Sequence, residues 1–151
     1  MRIVLDVNIL ARVVMSPQGP AAELFDRLRS GHLLVSSVEM LADLSRVLAY
    51  ERVRRIHQLD DRGIEEFVAR IEEGSLVVAL PQSIPAVVPA DPDDDVVIAT
   101  AVIGRAEVLC TRDGHLRAPE VRAYCSNRGI RVMTDVELLK ELCAQGRPAE
   151  D

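Results

Sequence analysis

Arg2-Ile3-Val4-Leu5-Asp6-Val7-Asn8-Ile9-Leu10 is the stretch that decides the fold. Three apolar residues run directly into a carboxylate, and helical spacing follows. A short apolar run at the start of a chain reads as a buried strand. Asp6 then ends that strand, on the edge where open α/β sheets bind ligands.

Working outward, the same alternation recurs. Val7 to Met15 has helical spacing and stops at Ser16-Pro17-Gln18-Gly19-Pro20, a loop by its Pro and Gly content. Ala21 to Arg29 reads as a helix closed by Gly31, and His32 to Val35 as a second strand. Ser36 and Glu39 stand at capping-box spacing, which opens a helix running to about Ala49. Glu51 to His57 forms a short basic helix and Asp60 to Glu73 an amphipathic one. Ser75 to Leu80 is apolar throughout, hence a third strand buried on both faces. After a proline-bearing loop, Asp91 caps a helix with Pro92 at its first position, leading into Val96 to Ile103. Glu107 to Thr111 is a fourth strand, Ile130 to Met133 a fifth, and Asp135 to Cys143 a last helix. Strands alternating with helices predict a parallel sheet joined by right-handed crossovers. The reading is a single α/β domain over residues 1–143 with a flexible tail, 144–151.

Composition narrows the class. At 151 residues the chain fits one domain with a full core. With no Trp and only two Phe and two Tyr, that core must be Leu, Val, Ile and Ala. No apolar run is long enough to span a bilayer, and the N-terminus lacks the parts of a signal peptide. Cys110, Cys125 and Cys143 are widely spaced and form no C-x-x-C pair, so neither a zinc site nor a disulfide framework is indicated. A reduced, cytoplasmic protein is expected. The net charge of −6 argues against a generally basic surface for nucleic acid but leaves room for a locally basic face. Lys140 is the only lysine among the 18 basic residues, so cationic contacts fall to arginine, whose planar fork suits phosphate.

The carboxylates carry the chemistry. Asp6 ends strand one, Asp43 lies on the helix after strand two, Asp94 and Asp95 sit in the first turn of the helix before strand four, and Asp113 follows strand four. Parallel strands put their C-terminal ends on one side, so Asp6 and Asp113 share a crevice that the helical acids can reach from its flanks. Each has a plainer explanation. Asp6 can be a helix cap, Asp43 a surface partner of Arg46, and Asp113 the Asp of an Asp-Gly turn. Asp91 is the cap, and Asp93 an acid favoured by the helix dipole. Four aspartates within residues 91–95 nevertheless exceed what capping needs, and like charges this close repel unless something neutralises them. A hard divalent cation takes oxygen ligands, lowers the pKa of its water, and can clamp both oxygens of a phosphoryl displacement. His32, His57 and His115 are scattered and read as structural or exposed.

With Leu5-Asp6-Val7-Asn8-Ile9-Leu10, Ser16 to Pro20, Leu41-Ala42-Asp43-Leu44-Ser45-Arg46-Val47-Leu48, Asp91 to Asp95 leading to Ala101, and Thr111-Arg112-Asp113 in this order, the sequence resembles PIN-domain proteins. More narrowly, it is similar to toxin components of bacterial toxin–antitoxin systems, related to the VapC-type toxins. The resemblance runs from Met1 to about Leu142. It implies a three-layer Rossmann-like fold with a central parallel sheet flanked by helices. It also implies a ribonuclease that uses Mg²⁺ or Mn²⁺. Carried over position by position, Asp6, Asp43, Asp94 and Asp113 take the four catalytic positions. Asp6, Asp94 and Asp113 hold the metal, and Asp95 shares or replaces the role of Asp94. Asn8 orients Asp6 or the water on its metal from behind. Two departures stand out: Val7 replaces the usual Thr, and Asp43 replaces the usual Glu, shortening its reach by about 1.5 Å.

Two other acid-bearing folds fit less well. A haloacid-dehalogenase-type phosphatase expects a second Asp where Asn8 stands. A receiver domain needs a phospho-accepting Asp on the middle strand and a late Lys, but Lys140 lies within the last helix. A PIN fold that binds RNA or a partner without cleaving is the third alternative. Arg46, Arg52, Arg54, Arg55 and Arg112 are the candidates for RNA contact, Arg46 and Arg112 foremost. By the resemblance, an apolar groove around the early helices is expected to hold an antitoxin or a second copy of the chain.

Overall fold

A computed structural model describes residues 1–146. Its five strands are β1 (Arg2–Leu5), β2 (Leu33–Ser37), β3 (Ser75–Val78), β4 (Val108–Cys110) and β5 (Arg131–Met133). Eight helices connect and cover them: α1 (Val7–Met15), α2 (Pro20–Leu28), α3 (Val38–Leu48), α4 (Glu51–His57), α5 (Asp61–Glu73), α6 (Pro92–Ile103), α7 (Pro119–Ser126) and α8 (Asp135–Gln145). All strand pairs are parallel, in the order β3-β2-β1-β4-β5. The result is a three-layer α/β fold, as the alternation predicts.

The order explains why the first strand matters. β1 lies at the centre, paired with β2 on one side and β4 on the other. The chain builds outward from β1 to β3, then returns through α6 to the far side of β1. That reversal between β1 and β4 is a topological switch point, where ligands bind in open α/β sheets. Ile3 and Val4 are wholly buried in the middle of the sheet, together with Val108 and Leu109 of β4. α6 packs against β1 and β2. The contact is close: a Cβ on Gly104, which follows α6, would come within 2.3 Å of Val35 Cγ1 on β2.

Some boundaries differ from the sequence reading. β2 continues through Ser37, because Ser36 and Ser37 pair with Val77 and Val78 of β3. The cap of α3 is therefore Ser37, whose hydroxyl accepts from the Met40 amide at 3.3 Å, and not Ser36. β3 is shorter than expected and only half-buried, because it is the edge strand. α7 has no counterpart in the sequence reading; its inward residues are Val121 and Cys125. Ala144 and Gln145 continue α8 and are not part of a tail. Residues 147–151 lie outside the described residues. No helix among those described is long and apolar enough to cross a membrane.

Candidate active site

Asp6 follows β1 directly, and its amide donates to the Cys110 carbonyl at 3.0 Å, extending the β1–β4 pairing by one step. It occupies the cap position of α1, where the Val7 and Asn8 amides act on its carboxylate, although no side-chain cap bond of full geometry forms. Its carboxylate is buried, and Oδ2 accepts from the Thr111 hydroxyl at 2.8 Å. The same Thr111 oxygen accepts from the Asp113 amide at 3.0 Å. Thr111 is fully buried at the end of β4 and ties the acids of two adjacent strands together. Sequence reasoning quoted Thr111 in its motif but gave it no role; its place one residue past the apolar strand was the available signal.

Asp94 completes the group. It lies in the first turn of α6, behind the Asp91 cap and Pro92. It is buried, and its Oδ2 has no hydrogen-bond partner. Burial, then the charges of Asp113, Asp91, Asp6 and Asp93, push its carboxyl up to about 7. Asp6 is also raised, mainly by burial, with Thr111 opposing and the Asp113 charge adding. Asp6, Asp94 and Asp113 thus act on one another across the switch point. Among the described residues, no arginine or lysine bonds any of the three.

Asp95 points to a different task. Its Oδ1 accepts from the Val87 and Val88 amides at 2.8 Å each, fastening the proline-bearing loop to α6. Successive residues on a helix project about 100° apart, so Asp94 and Asp95 cannot face the same point. Of the two acids expected to share the ligand role, Asp94 carries the unpartnered oxygen, while Asp95 Oδ1 is taken by the loop amides. Asp43 stands apart as well. It pairs with Arg46 one turn along α3 and lines a small pocket of about 140 Å³ with Val7 and Asp93. Asn8 is exposed and lines a groove beside Arg112 and Asp113, and it acts on Asp6 through its backbone amide.

Asp91, expected only as a cap, and His115, expected to be structural or exposed, also come to the site. Asp91, Asp94 and His115 each offer one ligand atom within 4.8 Å of the others. His115 reaches the site through the turn after β4, where Asp113 Oδ1 accepts its amide at 2.7 Å. An orphaned carboxylate oxygen, surrounding acids and a mixed oxygen and nitrogen donor set together fit a divalent cation. His57 is structural: its ring bonds the Leu48 carbonyl and the Leu59 amide.

The basic candidates divide. Arg46, Arg54 and Arg55 are engaged by Asp43, Asp61 and Glu51. Arg112 uses its Nε on Asp135, 2.6 Å away and wholly buried at the start of α8, leaving the rest of its fork on the groove. Arg52 lines the same groove, as does Arg12, which the sequence reading did not single out.

No curated protein matches the chain. Among solved structures, it resembles a chain of the VapBC2 complex from Rickettsia felis, solved bound to a DNA fragment from its promoter. The TM-score is 0.59 over 89% of this chain and 98% of that one, at 11% identity, so the likeness is one of fold. The model of the PIN domain matches residues 2–115, which take in β1 to β4 and all three acids at the switch point; the chain belongs to the PIN domain family.

Proposed function

We propose that this protein is a ribonuclease that hydrolyses RNA phosphodiesters with Mg²⁺ or Mn²⁺. The observation that carries the reading is Asp94: a buried carboxylate with an orphaned oxygen, set among Asp6, Asp91, Asp93 and Asp113. Such a group is costly to bury charged unless a cation offsets it. Asp6, Asp94 and Asp113 would hold the cation, with Asp91 and His115 within reach of Asp94. When bound, the cation would offset the charge of the phosphate and lower the pKa of its water, making hydroxide available near neutral pH. The chain's own part is positional. Thr111 fixes the Asp6 carboxylate and the Asp113 backbone, and the Arg112–Asp135 pair holds the strand end between them.

The biological role that fits is the toxin of a toxin–antitoxin pair in the cytoplasm. Family membership and the likeness to the VapBC2 chain support that reading, with an antitoxin as partner. A homodimer is compatible with it. Cleavage is tested by incubating RNA with the protein and Mn²⁺ or Mg²⁺, against EDTA and against Asp6→Asn and Asp94→Asn. Cleavage should be lost with EDTA and fall by at least 100-fold in each variant, in line with losing a preorganised charge at the reacting phosphate. Equal cleavage by all would sink the proposal. The second reading, a PIN domain that binds RNA or a protein without cutting, draws on the Asp43–Arg46 pair, which engages one of the four expected acids elsewhere. It predicts cation binding without cleavage.

A further inference from the structure

At the edge of the sheet opposite the acids, a cleft of about 390 Å³ opens between α2 and α5, beside the start of β2. α2 packs on α1 and α8, and α5 on α3 and β3, so the two helices flank the cleft without closing it. Its volume lies in the range of sites that hold small ligands. The floor is apolar: Leu28, Leu34, Phe67 and Ile71 are buried, and the half-buried Phe25 forms a wall. The rim is polar. Arg29 caps the C-terminal end of α2, and Arg70 lies in the last turn of α5. His32 and Glu73, the single acid lining the cleft, complete it. A helix dipole favours arginine at a C-terminus, which explains either arginine alone. It does not explain why two from separate helices converge on one cleft with no counter-charge. Among the described residues, neither guanidinium has a hydrogen-bond or ion-pair partner, whereas Arg27 and Arg62 on the same two helices pair with Glu23 and Glu66. Arg29 instead lies over the Phe25 ring, 5.7 Å from its centre.

We infer that this cleft binds a small-molecule anion carried on an aromatic body, with its carboxylate or phosphate held by Arg29 and Arg70 and its ring seated against Phe25 and Phe67. The apolar floor selects the body, because a fully hydrated ion gains nothing from it. Two phenylalanine rings select a flat, aromatic body, since ring pairs gain more than the area they bury. Two unpaired planar forks select an anion with at least two oxygens to share between them. The cleft is separate from the acids: Asp6 follows the C-terminal end of β1, whereas the cleft lies at the N-terminal end of β2, which runs parallel to it. A ligand here leaves the acids uncovered, so the inference stands apart from the ribonuclease reading. Bound between α2 and α5, it joins two helices that otherwise meet only through their neighbours.

The protein has only two phenylalanines, and both line the cleft. Magnetic resonance of the full chain with ring-labelled phenylalanine therefore reports from this site alone. Naphthoate and naphthyl phosphate, titrated separately, should shift both sets of ring signals and saturate; the tighter of the two identifies the anion as carboxylate or phosphate. Naphthalene methanol has the body without the charge, and inorganic phosphate the charge without the body. Each should bind at least about tenfold more weakly than the better anion, the loss expected for a hydrogen bond to a charged group. Arg29→Gln with Arg70→Gln should remove the preference for the anions over the alcohol while leaving the alcohol's affinity unchanged. Ring signals that stay still with both anions would overturn the inference, and so would an alcohol that binds the unaltered protein as tightly as they do. Rings that move only with an acidic, apolar peptide would assign the cleft to a protein partner and overturn it as well.

Discussion

Asp43 and Asp94 show how one residue type takes different roles by position. Asp43 is partly exposed on α3 and satisfied by Arg46, so it behaves as half of an ordinary surface pair, worth little by itself. Asp94 is buried without a partner and repelled by its neighbours. A longer side chain at 43 would reach past Val7 toward Asp93 and α6, with which Asp43 already shares a pocket. Asp43→Glu should therefore keep cleavage or raise it up to about tenfold, measured as kcat/KM on RNA. That factor corresponds to about 1.4 kcal/mol of added stabilisation at the transition state. Abolished activity in that variant would mean that α3 does not present this position to the site. The sequence named Asp6, Asp94 and Asp113 through their places after strands and caps. Thr111, Asp91 and His115 escaped because a threonine in a strand, a cap and a lone histidine all have sufficient local explanations.

Among the elements, α6 does the most to position the site. It is buried almost all round, with Val97, Ile98, Ala99, Thr100 and Ala101 inward, and it crosses from the β3 edge back to β4. Thr100 anchors it: its hydroxyl donates to the Val96 carbonyl at 2.7 Å and accepts from the Ser37 hydroxyl on β2 at 2.9 Å. Gly104 lets its end approach the sheet, leaving no space for a methyl group beside Val35. Gly104→Ala should thus cost roughly 1–3 kcal/mol, the usual range for overpacking a filled core. Urea unfolding at constant m-value would measure it; an unchanged midpoint would show that the sheet yields. The sequence located α6 and its start because Asp91-Pro92 is a strong local signal. It placed the cap of α3 one residue early because Ser36 and Ser37 are equally good caps. Pairing of β2 with β3 decided for Ser37, a contact between residues 41 apart in the chain. α7 went unread because it is short and only Val121 and Cys125 point inward.

At the scale of the whole molecule, the acids couple stability to pH and to cation. Asp94 has a folded-state pKa near 7, above its ordinary value of 3.8. Between those values the folded chain holds more protons than the unfolded one, so stability falls as pH rises through that window. Asp6 shifts in the same direction. A divalent cation needs the ionised carboxylates, so its stabilising effect should grow with pH over the same window. In EDTA, Asp94→Asn should therefore melt above the wild type at pH 8, by about 2–4 °C for each kcal/mol of relieved repulsion. The difference should shrink toward pH 4. Mn²⁺ should raise the wild-type melting temperature at pH 8, less so at pH 5.5, and leave Asp94→Asn nearly unmoved. Calorimetry across pH checks all three, and a variant that is less stable than the wild type at pH 8 would show that Asp94 is not held against repulsion.

The sequence by itself determined the alternation of strands and helices, the parallel sheet and the identity of the acids that end up on one edge. These follow from local periodicity, capping chemistry and the rule that parallel strands share an edge. Only the tertiary structure decided strand order, which left β3 half-exposed and put β1 beside β4. It also decided which of two adjacent aspartates faces the cleft, that Asp43 turns to Arg46, and that Arg12, Arg52 and Tyr50 line one groove. Those outcomes depend on contacts between distant segments, and a helical residue's neighbours across space are not written in its neighbours along the chain.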